Sequence, residues 1–445
     1  MSPRTRVVLA GAIGNIVEWY DFGLYGLLAP VLTSLFFPSH DRIAALLGVF
    51  GGFAVGFAIR PIGAVVLGRV GDRRGRQFVL VLSVALMGMA TVAVGMLPSY
   101  HSIGIWAPVL LIGIRLFQGF SVGGEFVGSV TYLVETAPVE RRGIGGSVAN
   151  IGATMGMLVA AAAAALAETY ASSFPQVWRI PFLFGGALAF AGYWLRRHLP
   201  PEQTEIASTS SLAAAETRPV GTDAIAVATA RISHFGNMAQ RWPALRAFQE
   251  APRTMLVATL FTCGYGVSNY VIMVFLPTFA REFASVNETT ALRINTVGQF
   301  VALIVVPLAG WISDFWLRRR TILAGAFLLQ ALIAWELFSL VLQKNTAGLW
   351  IAQVLLACLL AMVMGTAPAM LAEQFPRGFR VSGHAVVLNV GIGIAGGTAP
   401  MIAVALIRAT GSSMAPALYL AAACMVSLIS VLLLKERSRV TLNAL

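Results

Sequence analysis

Apolar residues run in long blocks along almost the whole chain, separated by short polar stretches. Twelve blocks can be drawn: 7–36, 44–68, 77–98, 104–134, 144–168, 178–198, 254–280, 292–315, 321–342, 347–371, 384–407 and 415–434. Each is near or above the roughly 20 residues a helix needs to cross a bilayer. A helix satisfies its backbone polar groups within the segment, which lipid requires. The pattern therefore predicts an all-α integral membrane protein with twelve spans.

Composition agrees. Of 445 residues, 58% are hydrophobic and 11% charged, and the mean hydropathy is +0.79. Soluble domains are about one-quarter charged. The net charge of +12 would suggest nucleic acid in a soluble protein. Here it sorts by side. With alternate loops assigned to opposite faces, sixteen basic residues fall with the termini and six (Arg42, Arg179, Arg281, Arg293, Lys344, Arg408) fall opposite. Basic loops stay inside, so both termini and the central loop are expected in the cytoplasm. Cys263, Cys358 and Cys424 lie in apolar blocks without metal spacing and read as small hydrophobes. No metal, cofactor or nucleic-acid partner is expected; the partners are the bilayer, a small solute and protons, and the chain is expected to be a monomer.

The two halves repeat. GRVGDRRGR (68–76) and GWISDFWLR (310–318) share G-x-x-x-D-x-x-x-R, offset by 242; ETAPVERR (135–142) and EQFPRGFR (373–380) share E-x-x-P-x-x-x-R, offset by 238. Two matches at nearly one offset, in the same order, predict parallel six-helix repeats with a site between them. The expected division is 1–198, a central loop 199–252, and 253–445. Residues 199–221 read as a flexible linker. Met238, Trp242, Leu245 and Phe248 could face one side of a short interfacial helix, but Pro243 interrupts it, so a plain tether is the favoured reading. The duplicated loop charges Asp72, Arg76, Glu135 and Arg142, with Asp314, Arg318, Glu373 and Arg380, are candidates for a cytoplasmic gate that pairs when the inner side closes.

Ionisable groups inside spans are functional candidates by default. NIVEWYDF (15–22) places Glu18 and Asp21 in the first span, where Gly14, Glu18, Asp21 and Tyr25 share a face. The fourth carries Arg115, Gln118, Glu125, Ser129 and Tyr132, the second Arg60, and the ninth Glu336. Away from the span ends, acids thus outnumber arginines, four to two. Arginine stays protonated, so two acids can be neutralised by it, and the others must be protonated, hydrated or near an interface. A carboxyl that gains and loses a proton as its surroundings change is what proton coupling requires. Asp21, Glu18 and Glu125 are the candidate proton-linked set, with a permanent helix clamp as the alternative for Glu18. Arg115 is a candidate anchor for a substrate carboxylate or else the partner of Glu125. Arg60, Tyr25, Gln118, Tyr132, Tyr265, Asn269 and Gln299 complete the candidate binding set, with Tyr270 beside Asn269. The histidines, at 40, 101, 198, 234 and 384, fall at or beyond span ends, so carboxylates are expected to carry the proton.

GFSVG (119–123) and GIGIAG (391–396) match hydrolase and dinucleotide patterns, but both lie inside spans, where neither the strand-to-helix elbow nor the strand before a soluble helix exists. The chain is not expected to be an enzyme.

The loop G-x-x-x-D-R-x-G-R and Arg115-Leu-Phe-Gln118-Gly119 resemble signatures of the major facilitator superfamily. GNIVEWYDFGLYG (14–26), GFAIRPIGAVVLGRVGDRRGR (56–76), RLFQGFSVGGEFVGSVTYLVETAP (115–138) and WRIPF (178–182) are similar to its metabolite–proton symporter family. The resemblance implies alternating access and uptake of an organic acid, or of a zwitterion such as proline or betaine, with protons across a bacterial cell membrane. The residues after Leu434 show no heptads, unlike the coiled-coil osmosensory members. The expectation is therefore proton-coupled symport of a di- or tricarboxylate; alternatives are symport of a zwitterion, or a channel or sensor.

Overall fold

The structure is a computed structural model and describes residues 3–74, 76–122, 125–197, 243–344, 346–376 and 378–438. It forms two pseudo-symmetric six-helix bundles. Spans one to six are Pro3–Leu27 with Ala29–Phe36, Arg42–Ala58 with Arg60–Arg74, Arg76–Met96, Trp106–Ser121 with Glu125–Thr136, Arg142–Tyr170 and Arg179–Arg197. The seventh runs through Pro252–Tyr270, Val271–Phe275 and Leu276–Ala284; Glu288–Phe315, Arg319–Leu342 and Thr346–Ala372 follow. The eleventh is Arg380–Leu388, Asn389–Gly396 and Gly397–Thr410, and the twelfth Ala415–Leu433. Among the described residues nine helices are individually long and apolar enough to cross a membrane; the first, fourth and sixth complete the set. Bulky apolar side chains such as Phe190, Trp194, Ile304 and Leu332 are exposed, as a lipid-facing surface requires.

Prolines explain most breaks, because each lacks the N–H that would bond the carbonyl four residues earlier. The first helix breaks at Leu28, ahead of Pro30, and the second at Ile59, ahead of Pro61. The seventh and eleventh widen into π turns at Val271–Phe275 and Asn389–Gly396. Each π segment contains the carbonyl freed by a following proline, Met273 for Pro277 and Gly396 for Pro400. Inside a membrane a freed carbonyl needs a donor. Asn295 of the eighth helix supplies one to Met273, at 3.0 Å. Pro368 likewise frees Met364 in the tenth helix, and Asn150 of the fifth donates to it at 2.5 Å.

The halves meet chiefly where the fifth helix packs on the eighth and the second on the eleventh. Gly143 and Gly310 let the fifth and eighth approach closely: a Cβ on Gly143 would strike Ser313 Oγ and the Gly310 carbonyl. Gly310 opens the second copy of the duplicated motif, so close backbone approach is one reason for glycine there.

Pro243–Glu250 is an eight-residue helix, where the sequence favoured a plain tether. Pro243 opens this helix and does not interrupt it, since the first turn needs no N–H from it. Arg246 and Glu250 pair along it at 2.5 Å. Met238 and Trp242 lie outside the described residues.

Candidate transport site

Asp21 collects donors from two neighbouring helices. Thr91 Oγ1 of the third donates to Oδ1 at 2.7 Å, and Gln118 Nε2 of the fourth donates to the same oxygen at 2.7 Å. Arg115 Nη1, also on the fourth, meets Oδ2 at 3.0 Å and donates to Gln118 Oε1 at 2.7 Å. The Arg115 and Asp21 side chains are 0% and 1% exposed. The guanidinium lies over the Tyr25 ring, 4.1 Å from its centre, and the Tyr25 hydroxyl donates to the Val49 carbonyl at 3.1 Å. A charge in this setting is tolerable only when paired and hydrogen-bonded; Arg115 Nη1 is both, while Nε and Nη2 have no hydrogen-bond partner among the described residues.

One turn back, Glu18 pairs with Arg60 of the second helix at 3.0 Å. The Arg60 guanidinium is held between Phe22 and Phe57, 4.2 Å from each ring centre. Two acids of the first helix thus hold the two in-span arginines. Arg115 rests on Asp21. The side chains of Glu125 and Tyr132, as of Asp72 and Arg76, lie outside the described residues. Glu336 is exposed on the ninth helix.

Between the halves lies a narrow cavity of about 20 Å³, lined by Trp19, Asn150, Thr154, Tyr265, Asn269 and Gln299, with Met157, Met273 and Met364. Its lining carries rings, amides, a hydroxyl and thioethers and, among the described residues, no ionised group. The expected residues therefore divide. Tyr265, Asn269 and Gln299 line the cavity, and Tyr270 stacks on Trp19 with centroids 6.3 Å apart. Tyr25, Gln118, Arg115 and Arg60 belong to the acid–arginine clusters and are not among the residues that line it. Sequence reasoning missed Trp19, Asn150 and Thr91. The signal was present: Asn150 is an isolated amide in a Gly- and Ala-rich helix, and Thr91 is, with Ser83, one of two hydroxyls in the apolar third.

On the face that carries both ends of the described chain, charges join the halves. Glu135 pairs with Arg380 at 2.7 Å, and Arg142 with Glu373 at 3.5 Å. Asp314 accepts the backbone N–H groups of Gly143 and Ile144 at 2.7 and 2.9 Å. It therefore caps the fifth helix from the other half, where the helix dipole favours a negative charge. Arg319 joins Asp314, at 3.1 Å, to Glu373. Burial pushes the Glu373 carboxyl above its usual range, while Arg319 and Arg142 draw it down.

Arg318, the residue singled out by the duplicated motif, makes no ion pair among the described residues and is exposed. It occupies the N-cap of the ninth helix with extended backbone, and the helix turns Arg319 inward instead. His384 stands one turn into the eleventh helix, near its end as expected, but is fully buried, with Nδ1 3.1 Å from Thr131 Oγ1.

The opposite face is also tied across the halves. Arg42 meets Glu282 at 2.7 Å and Arg408 meets Asp41 at 2.9 Å. Ion pairs thus join the halves on both faces.

Residues 7–445 match the family model described as "Sugar (and other) transporter". A putative proline/betaine transporter of Staphylococcus aureus (strain COL) is 33% identical over 428 residues, covering 94% of this chain and 85% of the relative. The proline/betaine transporter of Escherichia coli (strain K12) is 31% identical over 437 residues, covering 97% and 83%. Among solved structures, a D-xylose-proton symporter superposes with a TM-score of 0.73 at 16% identity, covering 97% of both chains. A partially occluded inward-open form of the xylose transporter XylE from E. coli gives 0.70 at 15% identity, covering 96% of this chain and 98% of that one. At such identities the structural likeness speaks to fold alone.

Proposed function

Starting from a chain that belongs to the major facilitator superfamily, in its family of sugar and other transporters, we propose that this protein takes up a small zwitterion together with protons. One observation supports the choice of solute: among the described residues no cation lines the cavity between the halves. A di- or tricarboxylate would bring two or three negative charges to a site with nothing to neutralise them. The in-span arginines are already held by Glu18 and Asp21. A zwitterion of zero net charge suits the lining better. Trp19 and Tyr265 offer ring faces to its cationic end, and the amides of Asn150, Asn269 and Gln299 offer N–H donors to its carboxylate. The names of the relatives point the same way, toward the alternative that the sequence ranked second.

Asp21 carries the proton in this reading. Ionised, it holds Thr91, Gln118 and Arg115, binding the first helix to the third and fourth. Protonated, it loses the charge that holds Arg115, and the three helices can move apart. Trp19, two residues earlier on the same helix, touches the cavity, so a tilt of that helix moves the proton site and the solute site together. The cavity is too narrow for an amino-acid-sized solute, so loading must widen it. Glu18 with Arg60 orients the same helix one turn away. The membrane potential contributes ~2.3 kcal/mol per charge per 100 mV to such a cycle.

In this reading the terminal face, which carries most of the basic loop residues, is the cytoplasmic one. The Glu135–Arg380, Arg142–Glu373–Arg319 and Asp314 contacts then form the inner gate, which separates when the solute is released.

Proteoliposomes with an imposed pH gradient test this reading. Labelled proline or glycine betaine is expected to accumulate above equilibrium, and a protonophore should abolish the accumulation. Accumulation of citrate or malonate with neither zwitterion transported would overturn it.

A further inference from the structure

The amides around the cavity divide by what they already hold. Asn150 Nδ2 of the fifth helix donates to the Met364 carbonyl at 2.5 Å. Asn295 Nδ2 of the eighth donates to the Met273 carbonyl at 3.0 Å, and Gln353 Nε2 of the tenth to the Ile272 carbonyl at 3.3 Å. The Thr154 hydroxyl, which also lines the cavity, donates to the Asn150 carbonyl at 2.8 Å. Each of these donors serves the backbone of a helix. Gln299 does not. It lies one turn beyond Asn295 on the eighth helix, is 2% exposed and lines the cavity. Its Nε2 has no hydrogen-bond partner among the described residues.

An amide N–H buried without an acceptor is costly. On the wall of a cavity it is a donor kept for a solute that brings an acceptor. A carboxylate answers it best, because the hydrogen bond is then charge-assisted. The amide itself is neutral, so it suits a carboxylate whose counter-charge travels in the same molecule. Position adds direction. Gln299 belongs to the C-terminal half, as does Asn269, which lines the cavity from the seventh helix. Trp19 faces the cavity from the first helix of the N-terminal half, and an indole ring is the best aromatic partner for a cation.

We propose that Gln299 reads the carboxylate of the solute. The zwitterion then lies across the seam, with its cationic end on Trp19 and its carboxylate on the eighth helix. The assignment rests on the zwitterion reading above and adds an orientation and a rule of selection to it. A solute with both ends touches both halves and draws them together. A solute without the carboxylate holds the first helix alone. Choline keeps the trimethylammonium head of glycine betaine but has a hydroxyl in place of the carboxylate. It is discriminated against because it leaves Gln299 without an anionic acceptor, not because of its size.

The test compares these two solutes on three forms of the full chain in lipid nanodiscs, by equilibrium binding of each labelled compound. The parent should prefer glycine betaine. Gln299→Leu should weaken glycine betaine at least about tenfold while leaving choline within about twofold, so the preference collapses. Trp19→Leu should weaken both solutes alike, because both carry the same cationic head. Solute-free Gln299→Leu should melt no lower than the parent, since it loses only a buried donor that had no acceptor. A Gln299→Leu protein that keeps the parental preference would overturn the assignment and leave the zwitterion reading standing. So would a solute-free variant that melts lower than the parent, which would mark Gln299 as a structural amide. A parent that binds no zwitterion would overturn the reading itself, and the assignment with it.

Discussion

Asn150 of the fifth helix donates its side-chain amide, at 2.5 Å, to the Met364 carbonyl that Pro368 leaves free in the tenth. A backbone defect in one half is thereby satisfied by the other half, beside the cavity both of them line. The closed state gains from this bond, and an open state must hydrate the carbonyl instead. An unsatisfied buried carbonyl costs about 1–3 kcal/mol. Asn150→Leu should therefore shift the solute-free protein toward open forms by roughly tenfold. The rate at which a thiol reagent modifies Thr154→Cys, a cavity position, reads this out. No change in rate would show that the bond does not hold the halves together.

Arg319 and Arg318 are neighbours with opposite expected effects. Arg319→Ala would leave Asp314 and Glu373 buried beside a missing cation. Breaking a buried pair on one side costs about 3–5 kcal/mol. The variant should lose closure of the terminal face, seen as faster proteolysis or labelling from that face. Arg318→Ala, at an exposed cap, should stay within about 0.5 kcal/mol of the parent. Equal effects would contradict the assignment of Arg319 as the gate's cation.

Trp19 offers the larger ring face in the cavity. Replacement by leucine keeps an apolar side chain but removes the π system. Binding of glycine betaine, followed by calorimetry, should weaken by about 0.5–2 kcal/mol. A neutral sugar used as a control should show no parallel loss of that size. If Trp19→Leu binds glycine betaine as the parent does, the cationic end of the solute is not held there.

Gly143 faces Gly310 across the halves. Gly143→Leu places a branched side chain against Ser313 and the Gly310 backbone, where even a Cβ does not fit. The fifth helix should still form, because leucine is a better helix former than glycine. Closure of the terminal face should fail, with initial uptake falling at least tenfold while circular dichroism stays unchanged. Normal uptake would mean that this contact is not part of the transport cycle.

Much of this arrangement was legible from periodicity and spacing. Apolar blocks of span length locate the helices, and the duplicated motifs locate the contacts on the terminal face. Span edges shift by a few residues because the seventh and eleventh helices continue past their apolar blocks into polar ends such as Arg281 and Arg380. Periodicity also placed Glu18, Asp21 and Tyr25 on one face, but a face does not name its partner. Arg115 therefore looked available for a substrate carboxylate, whereas packing of the first, third and fourth helices gives it to Asp21. The choice between Arg318 and Arg319 was not legible because it depends on where the ninth helix begins. The cross-half bond of Asn150 was hidden for a related reason. Its acceptor is a backbone carbonyl, which no residue pattern marks except through Pro368 four positions later.

The central claim is that Asp21 exchanges the coupled proton. Asparagine at this position keeps an acceptor for Thr91 and Gln118 but cannot ionise. In proteoliposomes, Asp21→Asn should lose proton-driven accumulation of labelled proline or glycine betaine while still exchanging external for internal solute. Loss of accumulation with exchange retained is the predicted result. Full gradient-driven accumulation by Asp21→Asn would contradict the account.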